Sequence, residues 1–154
     1  MSQESWTQMF MSLAYLIANK SRDPRTKVGA VITAKDNTII SLGYNGFPRG
    51  VRHTSFRMVK PYKQFFMVHA EINAILNAIR NGAKLQDATI YCTLFPCVEC
   101  TKAIIQSGIT KIVVPNLETQ NMICEMLEES NVEVTEWTGK IITEIKKFKD
   151  GEVE

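Results

Sequence analysis

Two short clusters in the sequence carry side chains able to do chemistry: His69-Ala70-Glu71 and Pro96-Cys97-Val98-Glu99-Cys100. Two thiolates three residues apart, joined by one imidazole, supply three ligands of the kind Zn2+ accepts, at ~2.3 Å for sulfur and ~2.0 Å for nitrogen. If His69, Cys97 and Cys100 are those ligands, the fourth corner of a tetrahedral site stays open. A zinc site that keeps one corner for water lowers the pKa of that water from ~15.7 towards ~7, which makes a nucleophile at neutral pH. Glu71, close to His69 in sequence, is a carboxylate beside the metal but outside its ligand set. It is suited to take a proton from the water and return it to a substrate nitrogen. Two other readings of the cysteines stay open: a redox dithiol, which would need neither His69 nor Glu71, and a structural zinc closed by Cys92.

For the clusters to meet, each must stand where a helix begins, at one common edge of a sheet. Pro96 suits such a start, because proline lacks the amide hydrogen that goes unpaired there. The positive end of the helix dipole also favours thiolates at Cys97 and Cys100. The flanking pattern supplies the elements. Trp6 to Ala18 places Phe10, Leu13, Ala14 and Ile17 at helical spacing, with Ser2 or Ser5 as the N-cap. Residues 28–33 and 38–42 are β-branched runs around the turn former Lys35-Asp36-Asn37, which predicts an antiparallel hairpin. Residues 43–61 read as a long loop rich in Gly, Pro and Arg. Beyond it helix and strand alternate: helix 69–80, strand 88–93, helix 97–106, strand 111–115, helix 118–129, strand 132–136 and a weak amphipathic tail at 141–148. Strands joined through helices imply right-handed crossovers and a mainly parallel sheet. The predicted fold class is α/β, a three-layer α/β/α sandwich whose first two strands are antiparallel, in a single domain over 1–154.

Composition narrows the function classes. Of 154 residues, 45% are hydrophobic and 22% charged, with 5 Pro and 8 Gly, which excludes disordered, collagenous and low-complexity chains. No apolar run approaches the ~20 residues of a bilayer helix, and no export signal opens the chain, so a soluble protein is expected and no membrane partner. A net charge of +2 is too balanced to favour nucleic acid. Cysteines at 92, 97, 100 and 124 without a secretory signal point to a reducing, cytoplasmic setting, and Cys92 and Cys124 are read as buried thiols.

The order H-x-E, then P-C-x-x-C, is the signature of zinc-dependent nucleobase deaminases. The chain resembles the deoxycytidylate (dCMP) deaminases, of the zinc-dependent cytidine/deoxycytidylate deaminase family, over nearly its whole length. The stretches that carry the resemblance are Ser21-Arg22-Asp23-Pro24 leading to Lys27-Val28-Gly29-Ala30, then Gly43-Tyr44-Asn45-Gly46-Phe47-Pro48-Arg49-Gly50, His69-Ala70-Glu71-Ile72-Asn73-Ala74-Ile75 and Thr93-Leu94-Phe95-Pro96-Cys97-Val98-Glu99-Cys100.

The resemblance implies a cytidine-deaminase-like mixed sheet of five strands. His69, Cys97 and Cys100 would be zinc ligands and Glu71 the catalytic proton shuttle, as the residues alone suggest. Asn45 matches the asparagine that meets the substrate sugar, and Val28 and Ala70 match positions that wall the base. Arg25 and Lys27 offer the charge that a 5′-phosphate needs. The family further implies dCMP as substrate, a homohexamer, activation by dCTP with Mg2+ and inhibition by dTTP. The effector-binding segment would be Gly43, Tyr44, Asn45, Gly46 and onward to Gly50. Where the family commonly has an acidic residue, this chain has His53, and no second, structural zinc is expected. Rival activities are deamination of another cytosine nucleoside or nucleotide or of adenosine in transfer RNA, and a noncatalytic, zinc-stabilised nucleotide sensor.

Overall fold

The computed structural model describes residues 2–146. Its elements run α1 (Gln3–Ala18), β1 (Gly29–Thr33), β2 (Ile39–Tyr44), α2 (Tyr62–Phe66), α3 (Ala70–Arg80), β3 (Thr89–Cys92), α4 (Val98–Gln106), β4 (Lys111–Val114), α5 (Asn121–Glu129) and β5 (Glu133–Glu136). The five strands form one sheet in the order β2-β1-β3-β4-β5. β1 is antiparallel to both β2 and β3, while β3, β4 and β5 are parallel. The α/β sandwich and the mixed five-stranded sheet that the resemblance implies are the fold observed, but the sheet is parallel only across β3, β4 and β5, because β1 also runs antiparallel to β3.

Alternation along the strands fills the two faces. Ala30, Ile32, Ile90, Cys92, Ile112 and Val114 point to one side and pack with Ala74, Ala78, Ile104, Ile123 and Leu127 of α3, α4 and α5. The residues between them, Val31, Tyr91 and Val113, point to the other side, onto Phe10, Met11 and Ala14 of α1. A period of two on strands and 3.6 on helices produces this arrangement.

Boundaries differ from the sequence reading where local polar groups intervene. α1 begins three residues earlier than its apolar pattern, at Gln3, because the Ser2 side chain accepts the Ser5 amide. β2 runs on through Gly43 and Tyr44, the first two residues of the predicted loop. Within 43–61 a 3-10 turn forms at Phe56–Met58, and the short helix α2 follows. α5 starts at Asn121 rather than 118, since the Asn116 side chain accepts the Glu118 amide and holds a turn there. The tail is not helical through residue 146. It is held across α1 instead: the Gln8 side chain donates to the Lys140 carbonyl, and the Ile142 amide donates to Ser12 Oγ. The end of that predicted tail, at Phe148, lies outside the described residues. Cys124 is exposed, not buried, because it sits one position past Ile123, which faces the sheet.

The topology brings three chain segments to one sheet edge. Gly29 pairs with Tyr44, and Ala30 with Cys92, so the entrance to β1 lies beside the exits of β2 and β3. Ligands of open α/β sheets bind outside such strand ends.

Candidate active site

α3 and α4 both open at that edge, and each takes a candidate metal ligand as its cap. His69 is the N-cap of α3 and Cys97 the N-cap of α4, both extended in backbone and neither making a side-chain capping bond. Freed from capping, the imidazole and thiol point at each other. Cys97 Sγ and Cys100 Sγ each lie 3.4 Å from His69 Nδ1. Ligands at ~2.3 and ~2.0 Å from one centre, at the tetrahedral angle, stand about 3.5 Å apart. The observed spacing therefore fits the edges of a zinc tetrahedron, and all three donor atoms lie within 4.8 Å of one another. Cys92 is not part of this cluster among the described residues, so the set matches an open site rather than one closed by a fourth cysteine.

Burial pushes the Cys100 thiol up, and the nearby Glu71 and Cys97 push it further. Without a cation the thiol therefore stays protonated well above neutrality, and loading the metal must expel its proton. Apparent zinc affinity is accordingly expected to fall steadily as pH is lowered, from well above neutrality downward. Chelator competition at several pH values, with calorimetry in buffers of different ionisation enthalpy, measures the release; pH-independent uptake would contradict the ligand set.

Glu71 lies in the first turn of α3 and is 4% exposed. Burial raises its carboxyl pKa, against a smaller opposing influence of its own amide, Cys100 and His69. A carboxyl whose pKa burial raises, set beside the donor triad, is placed to accept and return protons there.

A cavity of about 240 Å3 opens next to this triad. Val28, Asn45, His69, Ala70, Glu71 and Cys97 contribute to its wall, which unites most of the residues singled out in the sequence. Arg25 and Lys27 are exposed on the loop before β1 and do not line it, whereas their neighbour Thr26 does. Asn45 is fixed at both ends of its amide: Oδ1 accepts the Val28 N–H at 2.8 Å, and Nδ2 donates to the Thr26 carbonyl at 2.8 Å. One N–H and one lone pair remain for a ligand.

Sequence reasoning missed Asp23, Lys63, Gln64 and Met67 as cavity residues. The signal within reach was Asp23, inside a quoted stretch; nothing in the spacing of Lys63 marks it. Asp23 Oδ1 accepts the amides of Arg25 and Thr26, and Lys63 adds its ammonium. Burial alone would raise the Asp23 carboxyl, but those amides and the Lys63 ammonium outweigh it and hold the pKa below the ordinary value of 3.8. The resulting stability is complete above that ordinary value and is lost as pH falls through the lowered native one. Wild-type Tm should therefore drop more steeply below pH 4 than that of an Asp23→Asn variant, in thermal melts across an acid series. Parallel acid curves would contradict this.

His53 stacks on Phe47, ring centroids 4.6 Å apart and 5° between planes. Phe66 packs against Phe47 and under the Arg57 guanidinium, while Phe65 is 86% exposed. These aromatics are not among the cavity residues.

The chain matches the family model for the cytidine and deoxycytidylate deaminase zinc-binding region over residues 4–116. It belongs to that family. It is similar to a probable deoxycytidylate deaminase of Caenorhabditis elegans, 46% identical over 109 residues that cover 68% of this chain and 54% of the other. It is also similar to the deoxycytidylate deaminase of Homo sapiens, 39% identical over 115 residues, or 70% of this chain and 63% of that one. The chain thus spans between about half and two-thirds of the length of these curated relatives. The crystal structure of the dCMP deaminase from cyanophage S-TIM5 in complex with dCMP and dUMP superposes with a TM-score of 0.74 at 28% identity, covering 89% of this chain and 99% of that one. The family's zinc-binding region contains the His69, Cys97 and Cys100 triad, and the donor chemistry agrees with Zn2+.

Proposed function

We propose that this chain hydrolyses dCMP to dUMP and ammonia. The observation that carries the reading is the triad at tetrahedral spacing beside a buried carboxylate, with His69, Cys97 and Glu71 at the wall of one cavity and Cys100 buried behind them. dCMP as the substrate is favoured by relatives bearing the name deoxycytidylate deaminase and by the cyanophage complex with dCMP and dUMP.

His69 Nδ1 and the two thiolates would hold Zn2+, which supplies an acidified water and polarises the bond under attack. Val28 and Ala70 flank the cytosine ring and exclude solvent from its faces. The free N–H and lone pair of Asn45 meet the sugar hydroxyl. Arg25 and Lys27, outside the cavity, serve the 5′-phosphate only where it projects beyond the rim. The Glu71 carboxylate takes a proton from the water that attacks C4, gives it to ring N3, and then carries a second proton to the departing amine. Backbone amides near Cys97 would donate to the oxygen that is delivered to C4.

On the same reading, dCTP with Mg2+ activates and dTTP inhibits, in a homohexamer that supplies dUMP for thymidylate synthesis in the cytoplasm of a cell or a virus-infected host. The support for a second nucleotide site is a hollow of about 210 Å3 lined by Tyr44, Gly46, Arg49, Asn73 and Asn77.

The test is a coupled ammonia assay of the zinc-loaded chain with dCMP, deoxycytidine, dCTP and an adenosine-containing RNA. Ammonia should appear first and fastest from dCMP. Release only from another substrate would replace dCMP, and release from none would identify a noncatalytic sensor.

A further inference from the structure

Lys63 and Asp23 form an ion pair in the wall of the cavity that takes no part in the proton transfers. Lys63 Nζ lies 3.1 Å from Asp23 Oδ1 and 3.0 Å from Oδ2, with side chains 12% and 4% exposed. Withdrawing two charges from water is costly, and well-packed apolar residues of the same volume stabilise as well or better. Stability alone therefore does not account for a pair buried at a ligand cavity.

What the pair touches supplies the account. Asp23 Oδ1 also accepts the amides of Arg25 and Thr26, so the turn at 23–26 is organised around this carboxylate. The carbonyl of Thr26 receives Asn45 Nδ2, and the Val28 amide donates to Asn45 Oδ1. On the other side, Lys63 belongs to α2, and its carbonyl accepts the Met67 amide. Gln64 and Met67 from that segment line the same cavity, and Val68 is pinned to Gly46 by a two-bond bridge. The segment is thus fastened at the bridge, which holds the backbone next to Asn45, and at the ion pair, which leads through the Thr26 carbonyl to the Asn45 side-chain amide.

We propose that Lys63 is a positioning residue for Asn45, acting through the Asp23 carboxylate and the Thr26 carbonyl to fix the amide that faces the substrate. The idea rests on the proposed function in one respect, that Asn45 meets the sugar. Lys63 would then govern how firmly the nucleotide is held, with little influence on the proton transfers at Glu71. A merely structural role, pinning α2, would weaken folding without coupling to Asn45.

The experiment uses the full chain loaded with zinc, in wild type, Lys63→Met, Lys63→Arg, Asn45→Ala and the double variant Lys63→Met/Asn45→Ala. Zinc content is measured for each before kinetics on dCMP. Lys63→Met should raise KM about tenfold while kcat changes about twofold or less, and Lys63→Arg should recover most of the loss. In the Asn45→Ala background the same substitution should add less than about twofold, because its target is already gone. The Asn45 side-chain amide resonances give a readout free of catalysis. In wild type the Nδ2 protons should be distinct and slow to exchange, and in Lys63→Met they should shift and exchange faster.

Additive effects on KM, an unchanged KM in folded zinc-loaded Lys63→Met, or an unmoved amide signal would each overturn the proposal. If Lys63→Met fails to fold because Asp23 is left unpaired, the neutral pair Asp23→Asn/Lys63→Met takes its place with the same expectations. If wild type prefers another cytosine compound, the cycle is run on that compound. If it releases ammonia from none, the proposed function fails, while the amide signal still decides whether Lys63 holds Asn45.

Discussion

Replacing Glu71 by glutamine is expected to cut kcat on dCMP by about 10²- to 10⁴-fold, the range attributed to a positioned acid–base group. An amide of the same shape keeps the first turn of α3 filled and leaves the ligands at His69, Cys97 and Cys100 untouched. Zinc content and Tm should therefore stay at wild-type values. A Cys97→Ala variant gives the opposite signature, losing the metal along with turnover. Glu71→Gln turning over within about tenfold of wild type, with full metal occupancy, would place the proton transfers elsewhere.

The second large effect concerns a residue with no functional group. Gly43→Ala should lower both stability and metal content. A Cβ at Gly43 would lie 2.4 Å from the Ala70 carbonyl oxygen, 2.4 Å from the Ala74 amide nitrogen and 2.9 Å from Ala74 Cα. These are backbone atoms of α3 and cannot rotate aside, so the helix itself must retreat from β2. Overpacking of this kind costs about 1–3 kcal/mol or more, which for a chain of this size is a fall in Tm of roughly 3–10 °C. The retreat would also carry His69, at the head of α3, away from Cys97 and Cys100. Gly50→Ala is the control: φ is +82° there, but no atom lies within 4 Å of the added carbon. Only a backbone cost of about 1–2 kcal/mol follows, with zinc stoichiometry unchanged. Thermal melts and metal analysis of both variants check the contrast, and equal zinc loss in the two would refute it.

Gly43 also marks how far the sequence could be read. The triad and Glu71 were legible because their chemistry is carried by residue type and short spacing, and because both clusters precede apolar patterns of helical period. The two faces of the sheet were legible from β-branched runs such as 28–33. Gly43 read as a loop glycine, since nothing local reveals that a helix 27 residues later crosses its α-carbon. Asn116 and Ser2 moved helix boundaries through side-chain bonds that periodicity does not encode. Lys63 was invisible for a related reason. Its partner is 40 residues away, and an ion pair at such a separation leaves no mark on hydrophobic spacing.

His69 and Cys97 sit at the caps of their helices, whereas Gln64 and Met67 belong to the excursion between β2 and α3. The reactive groups are therefore held by the helix starts, while one part of the cavity wall is supplied by a separate excursion of the chain. Substitutions at Gln64 and Met67 would reshape that part of the wall while leaving the donor triad, Glu71 and the Gly46–Val68 bridge in place. A lineage built on this plan can diversify what it accepts without renegotiating how it reacts.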